Sequence, residues 1–86
     1  MAEVDPELRR LWRAKPTEPV ELILHVEGDL EARQAALQEQ GVQVRRRFAL
    51  TRALSVRCDG QTALRLAKLA WVKRIEPDRP VKALGR

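Results

Sequence analysis

Between two turn regions the chain reads VELILHVE, from Val20 to Glu27. Valine and leucine occupy every second position of this stretch, and a period of two is typical of a β-strand with one buried face. Gly28 and Asp29 follow directly. A glycine there ends the strand, and the aspartate is a favoured residue for capping the start of a helix. The stretch therefore predicts a half-buried strand that leads at once into a helix.

Further elements follow along the chain by the same criteria. We expect a helix over residues 30–40, strands over 42–50 and 54–58, a helix over 60–70, and a last strand over 73–76. The resulting order is βαββαβ. Split β-α-β units of this kind close into a four-stranded antiparallel sheet with both helices on one face. The sequence thus predicts an α+β fold, a ferredoxin-like sandwich whose second sheet face is uncovered.

The second strand contains an interruption in its apolar pattern. We expect Val42, Val44, Phe48 and Leu50 to share one face of this strand. Arg46 interrupts that row, and a charged residue in such a position predicts a β-bulge or a strand end close to it. On this interpretation Phe48 lies on the same side of the sheet as the two valines.

An additional helix precedes the βαββαβ unit. Its start, Asp5-Pro6-Glu7, combines an N-cap, a proline in the first turn and an acid near the positive end of the helix. A leucine and tryptophan stripe predicts that this helix packs on the domain. The chain then divides into an N-terminal helix and linker (1–18), a ferredoxin-like domain (19–79) and an extended C-terminal tail (80–86).

Composition limits the possible classes of protein. The 86 residues suffice for one domain, and the net charge of +5 comes from 17 basic and 12 acidic residues that are interspersed. A single cysteine, Cys58, excludes an internal disulfide and a cysteine-based metal cluster. No secretory leader or membrane-spanning apolar run is visible. We therefore expect a cytoplasmic protein with no membrane contact.

Nothing in the sequence predicts catalysis. There is no glycine-rich phosphate loop, no Ser/His/Asp arrangement and no cluster of metal ligands. His25 is the only histidine and falls on the polar face of the first strand, beside Ile23. We interpret these two residues as contacts on the uncovered sheet face. The prediction is a protein without catalytic residues, metal or cofactor.

A basic cluster offers a second interpretation. Five arginines could contact phosphate groups: Arg45, Arg46, Arg47, Arg52 and Arg57. RNA-recognition motifs share the βαββαβ order, but they stack bases on aromatic residues of the first and third strands. The corresponding strands of this chain contain no aromatic residue, which disfavours a nucleic-acid partner. A nucleic-acid-binding or protein-interaction module that uses this arginine-rich strand surface is the alternative function.

The chain after Ile75 is stiffened by two prolines. Pro77 and Pro80 fix their own φ and push the preceding residues toward extended conformations. Glu76 and Asp78 are two carboxylates at i, i+2 spacing. Taken alone, this stretch fits both a chain end without a role and a peptide that is offered to a groove.

Together with the preceding domain, this end of the chain resembles a known family. The chain is similar, over about Val20 to Leu84, to the propeptides of subtilisin-like serine proteases (inhibitor I9 type) and their stand-alone inhibitor relatives. The resemblance rests on the order of elements and on the stretch WVKRIEPD, from Trp71 to Asp78. In this stretch, apolar residues are followed by an acid, any residue and a second acid. The tail that comes after it ends in a small residue followed by an apolar residue.

The resemblance implies a mechanism. In the family, the uncovered sheet face packs on two parallel surface helices of the protease, and two acids cap the N-termini of those helices. Glu76 and Asp78 stand at the matching positions. The tail would enter the active-site cleft like a product, as an added strand. Its binding residues would be Val81, Lys82, Ala83 and Leu84, with Leu84 in the primary specificity pocket.

Two departures from the family modify this expectation. No protease domain follows in the chain, so the resemblance implies a separate, monomeric inhibitor or folding helper of a subtilisin-like protease. Gly85 and Arg86 extend past Leu84, so the bound protease could slowly cut the Leu84–Gly85 bond and inhibition would be temporary. A module that pairs with itself or another protein through the bare sheet face is a third possibility.

Overall fold

A computed structural model of the chain describes residues 2–78. Its elements are β1 (Glu3–Val4), α1 (Pro6–Ala14), β2 (Pro19–Val26), α2 (Leu30–Glu39), β3 (Gln43–Phe48), β4 (Ala53–Asp59), α3 (Gly60–Leu66) and β5 (Val72–Pro77). The binding tail that the resemblance implies, from Val81 to Leu84, lies outside the described residues. Helices and strands are both present in the described part, so the predicted α+β class is confirmed.

The strands form one sheet in the order β1-β5-β2-β4-β3. β2 pairs antiparallel with β4 and with β5, and β3 pairs antiparallel with β4. The short β1 pairs parallel with β5 and places Glu3 opposite Arg74 and Val4 opposite Ile75. The prediction of a four-stranded, wholly antiparallel sheet is therefore wrong, because the sheet has five strands and is mixed. A two-residue strand is too short to produce a visible alternation in the sequence.

The N-terminus is attached to the rest of the fold by more than these two residues. Ala2 is only 3% exposed, and its N–H donates to the carbonyl of Ala67 over 2.9 Å. The carbonyl of Ala2 in turn accepts from Nη2 of Arg9 over 3.3 Å. Ala67 lies 65 residues downstream of Ala2, and Arg9 lies seven residues downstream. The position of β1 therefore depends on contacts with other elements rather than on its own residues.

One buried cluster joins the sheet to all three helices. The alternate residues of β2, namely Leu22, Leu24 and Val26, are buried as the sequence predicts. They form a cluster with Leu54 and Val56 of β4, Trp12 of α1, Leu37 of α2, and Leu66 of α3. Burial of one aliphatic side chain of this size contributes about 1.5–3 kcal/mol. This face of the sheet therefore holds the layers together.

The helix ends follow local signals. The Asp29 carboxylate accepts from the Ala32 N–H over 3.1 Å and caps α2, while Gly41 (φ +83°) follows the end of that helix. Both signals were predicted. In contrast, α3 ends at Leu66, short of the predicted Ala70. No helix among residues 2–78 is long and apolar enough to cross a membrane.

Gly60 allows α1 and α3 to approach each other closely. A Cβ atom at this position would lie 2.9 Å from the carbonyl oxygen of Trp12 and 3.0 Å from that of Lys15. Both neighbours are backbone atoms, which cannot move aside as a flexible side chain would. The buried Trp12 ring and this close approach together fix α1 against the start of α3.

A bulge in β3 changes the orientation of the residues that follow it. The pairing of β3 with β4 shifts between Val44 and Arg46, close to where the sequence predicts it. Val44 lies opposite the buried Val56, whereas Phe48 lies opposite Ala53 and therefore on the other face of the sheet. The prediction that Phe48 shares a face with the valines is wrong. One inserted residue moves all later side chains of a strand to the opposite face.

The predicted second strand also ends earlier than expected. β3 stops at Phe48, and Leu50 is a fully exposed residue of the turn that leads into β4. Arg52 in this turn has a φ of +53°, in the left-handed region, and its Nη1 donates to the carbonyl of Gly28 over 2.9 Å. The hydrogen bond ties the turn to the end of β2.

Candidate functional site

The sheet face opposite the buried cluster, which we call the open face, brings together the predicted contact residues. Ile23 lies opposite Ser55 on one side and Glu76 on the other. His25 lies opposite Ala53 and Arg74 in the same way. Residues that are directly opposite each other in a sheet share a face. Ile23, His25 and Glu76, which the sequence assigns to contacts with a partner, are therefore neighbours on this face.

Glu76 is held by two basic side chains. Nε2 of His25 donates to Oε2 of Glu76 over 2.5 Å, and Nη2 of Arg74 donates to the same oxygen over 2.9 Å. The hydrogen bond from His25 and the nearby positive charge of Arg74 lower the pKa of the Glu76 carboxyl below its ordinary value. Glu76 is thus ionised and fixed in direction. Its side chain is still 42% exposed and can be reached by a partner.

The contact with Glu76 changes the interpretation of His25. In the sequence, His25 has no orienting residue nearby, whereas in the fold Glu76, which is 51 residues away, orients its ring. The strand register brings the two together, since β2 and β5 are neighbours only in the folded sheet. The histidine therefore acts on the acid by orienting it and by lowering its pKa.

Asp78 is positioned by the neighbouring strands. The hydroxyl of Ser55, a residue that is only 1% exposed, donates to Oδ2 of Asp78 over 2.5 Å. The Asp78 N–H donates to the carbonyl of Glu21 over 2.9 Å, so pairing with β2 continues one residue beyond β5. Ser55 is a site residue that the sequence reasoning missed. The available signal was a hydroxyl between Leu54 and Val56, the two inward residues of β4.

Each of these carboxylates has an oxygen left over. Within residues 2–78, Oε1 of Glu76 and Oδ1 of Asp78 accept no hydrogen bond from another side chain or from the backbone. An ionised carboxylate has about four lone-pair sites and can accept from several donors. The pair can therefore accept N–H groups from a second molecule without losing the bonds that orient it.

An apolar area lies beside the acids. Ile23 and Phe48 are half-buried on the open face, and the small Ala53 lies between their strands. The guanidinium of Arg46 is 5.7 Å from the centroid of the Phe48 ring, a distance at which cations are attracted to aromatic rings. The open face thus combines an apolar centre with charged groups on either side, the composition of many protein interfaces.

The five arginines of the alternative interpretation do not form one continuous patch. Nη1 of Arg45 and Nη1 of Arg57 both donate to Oε2 of Glu21, over 2.9 Å and 3.0 Å. Arg52 lies at the end of the sheet, where it binds the backbone. Arg46 and Arg47 lie on β3 at the outer edge, next to Arg45. The structure therefore places Arg52 apart from the other four arginines, and Glu21 compensates two of those four.

Chemistry at Cys58 is disfavoured by its surroundings. Burial raises the pKa of its thiol to about 11, and the negative charge of Asp59 adds to the effect. The reactive thiolate is consequently scarce at neutral pH. Among residues 2–78 no three histidine, cysteine or acidic side chains are grouped so that they could hold a metal ion.

Comparison with protein-family models, curated proteins and solved structures found no match to this chain.

Proposed function

We propose that this chain is a stand-alone, propeptide-like inhibitor of a subtilisin-like serine protease. In this proposal the open face docks on two surface helices of the protease, and Glu76 and Asp78 accept from the first N–H groups of those helices. The C-terminal tail then enters the active-site cleft, with Val81 and Leu84 as its anchoring side chains. The same docking would allow the chain to assist folding of its protease.

The proposal is carried by the arrangement of the two acids. Glu76 and Asp78 point to the same face as Ile23 and His25, and each is fixed by a hydrogen bond while one oxygen remains available. A carboxylate at a helix N-terminus contributes about 0.3–1 kcal/mol, and up to about 2 kcal/mol when it is partly buried. Acids that are already oriented lose little conformational entropy on docking.

The strand order supports the fold that the proposal requires. Without β1, the remaining strands have the order β5-β2-β4-β3 with antiparallel neighbours. With α2 and α3 as crossovers, this is the order expected of a ferredoxin-like unit. We propose that residues 19–79 are such a unit, and that β1 and α1 are additions at its β5 side.

The tail is expected to contribute more to affinity than the acids. Burial of Leu84 and Val81 in apolar pockets would contribute about 1.5–3 kcal/mol each. A free peptide of this length would bind poorly because of the entropy lost on ordering. Since the tail follows directly after Asp78, docking of the open face would raise its effective concentration at the cleft.

The proposal can be tested by titrating a subtilisin-type protease with the full chain and with a chain that ends at Asp78, using a chromogenic peptide substrate. We expect the full chain to inhibit at micromolar concentration or below. Loss of two anchors worth about 3–6 kcal/mol together should weaken the truncated chain by more than about 100-fold. If neither the full chain nor the truncated chain inhibits at micromolar concentration, the proposal is overturned.

The docking acids are tested separately by Glu76→Gln and Asp78→Asn in the full chain. Each should weaken inhibition by about two- to fivefold, the loss expected from one charged helix cap. Glu39→Gln is the matched control, since it removes the same charge from the exposed end of α2. An equal effect of the control would mean that overall charge, and not capping, is responsible.

The nucleic-acid alternative remains a prediction with less geometric support. It needs Arg45, Arg46, Arg47, Arg52 and Arg57 to act together on phosphates. Glu21 binds two of these guanidinium groups, and repels phosphate at the same place. A gel-shift series at low and moderate salt decides this alternative, because binding without stacking platforms should be strongly salt-dependent.

A further inference from the structure

β3 is the outermost strand at one side of the sheet. Among the described residues it pairs only with β4, so its other edge presents backbone N–H and C=O groups without a strand partner. The strand is six residues long and contains one bulge. At the opposite side of the sheet, the corresponding edge of β5 is partly covered by β1.

The free edge of β3 has an unbalanced positive charge. Within residues 2–78, neither Arg46 nor Arg47 has a carboxylate within 4.0 Å, whereas the adjacent Arg45 is paired with Glu21. Arg47 donates only to the neutral amide of Gln34 on α2, over 3.3 Å. A shallow groove of about 170 Å³ runs beside the strand and is lined by Gln34, Val44 and Arg45 to Arg47, with no acidic residue.

We propose that this edge binds an extended acidic peptide, which adds to the sheet as a further strand beside β3. Main-chain hydrogen bonds would supply the part of the affinity that does not depend on the peptide's sequence, as in other cases of strand addition. The guanidinium groups of Arg46 and Arg47 would select carboxylates. The site is separate from the acids of the open face, so the inference does not depend on the inhibitor proposal.

The register of β3 specifies how the acids should be spaced. Arg46 is opposite Ser55 and lies on the open face, whereas Arg47 is opposite the buried Leu54 and lies toward the helices. A cross-strand partner must be on the same face as the residue it contacts. A peptide that pairs with both arginines therefore needs two adjacent acids, because acids at i, i+2 spacing would reach only one face.

Two other occupants fit the observations less well. A second copy of the chain would bring two arginine-rich edges together, and like charges directly opposite each other destabilise a strand pair. A nucleic acid would match the charge, and its phosphates can accept from backbone N–H groups, but it does not offer the regular alternation of donors and acceptors that a strand edge pairs with. Stacking of bases on Phe48 would also compete with Arg46, whose guanidinium lies over that ring.

The experiment is fluorescence polarisation of labelled six-residue peptides with the full chain at low salt. The first peptide has the sequence Thr-Val-Glu-Glu-Val-Thr, the second has Thr-Glu-Val-Glu-Val-Thr with equal charge, and the third is the first with alternate amides N-methylated. We expect the first to bind about two- to fivefold tighter than the second, the range for one additional cross-strand ion pair. N-methylation should weaken binding by at least about tenfold, because it removes main-chain donors.

Variants of the chain locate the site. Arg46→Gln and Arg47→Gln should each remove the preference for adjacent acids, while Arg13→Gln, the same charge change on the exposed side of α1, should leave it intact. Amide chemical-shift changes should be concentrated in residues 43–48. No binding at low salt, equal binding of the N-methylated peptide, or tighter binding of a thymidine oligonucleotide than of the first peptide would each overturn the proposal.

Discussion

The charged side chains near β5 and those on β3, at opposite ends of the sheet, differ in how they are held. On the β5 side, Glu76 and Asp78 each receive a hydrogen bond from a side chain of another strand. On the β3 side, Arg46 and Arg47 have no carboxylate partner within residues 2–78. The acids are oriented by hydrogen bonds to a charged oxygen, whereas Arg46 lies over the Phe48 ring and Arg47 donates only to a neutral amide.

This difference separates two kinds of recognition. A charge that is oriented in advance can meet a partner at one defined position with little loss of entropy. A charge without an opposite charge beside it attracts anions over a longer distance and can exchange its weaker contacts for them, but it contributes less to geometric specificity. We therefore expect the acids to govern how a partner docks, and the arginines to govern which charged peptides approach the edge.

The largest effect is expected at the contact between Ser55 and Asp78. Ser55→Ala should lower the free energy of unfolding by about 1–3 kcal/mol, because a buried hydroxyl that bonds to a charged group is lost. Urea denaturation followed by tryptophan fluorescence measures this loss. A double-mutant cycle with Asp78→Ala should give a coupling of about 1–2 kcal/mol. Strictly additive effects would mean that the two side chains do not interact in solution.

A smaller effect is expected when the partner of Glu76 is removed. His25→Leu should raise the pKa of the Glu76 carboxyl toward its ordinary value of 4.5, since the hydrogen bond from His25 is the largest cause of the lowering. Arg74→Gln should raise it less. Carbon-detected NMR titration of the glutamate carboxyls gives both values, and the reverse ranking would contradict the assignment.

The same shift has a consequence for stability. Because the pKa of Glu76 is lower in the folded chain than in the unfolded chain, its contribution to stability is fully present above pH 4.5. It is lost as the pH falls through the folded pKa. In His25→Leu the pKa of Glu76 lies closer to its unfolded value, so the free energy of unfolding should fall less as the pH is lowered. Unfolding measured at several pH values below 5 in both proteins tests this difference.

The smallest effect on stability is expected at the β3 edge. Arg46→Gln and Arg47→Gln should each change the free energy of unfolding by less than about 0.5 kcal/mol, as for most surface substitutions. Glu21→Gln is the informative comparison, because it removes two exposed ion pairs worth about 0.2–1 kcal/mol each. Destabilisation by more than 1 kcal/mol at either arginine would show that the edge charges have a structural partner.

The N-terminal segment illustrates a limit of prediction from local pattern. The capping of α1 by Asp5 was visible in the sequence and is present in the structure. The pairing of β1 with β5 was not visible, because it depends on the position of β5 and on the hydrogen bond from Ala2 to Ala67. Local residues can specify a helix start, but they cannot specify which distant strand edge is available.

The β3 bulge illustrates a second limit. Its position near Arg46 followed from the interrupted apolar pattern, yet its consequence for Phe48 did not. Whether an irregular position ends a strand or inserts a residue depends on the partner strand. Only the pairing with β4 determines the register of the residues that follow the bulge.

The sequence by itself determined the α+β class, the buried row of β2, and the helix boundaries at Asp29 and Gly41, because these depend on periodicity and capping within a few residues. Only the tertiary structure decided that His25 orients Glu76, that Ser55 holds Asp78, and that Glu21 compensates two arginines while the β3 edge remains charged. These contacts join residues that are 23 to 51 positions apart. Strand order and register bring them together, and neither can be read from the residues on one strand.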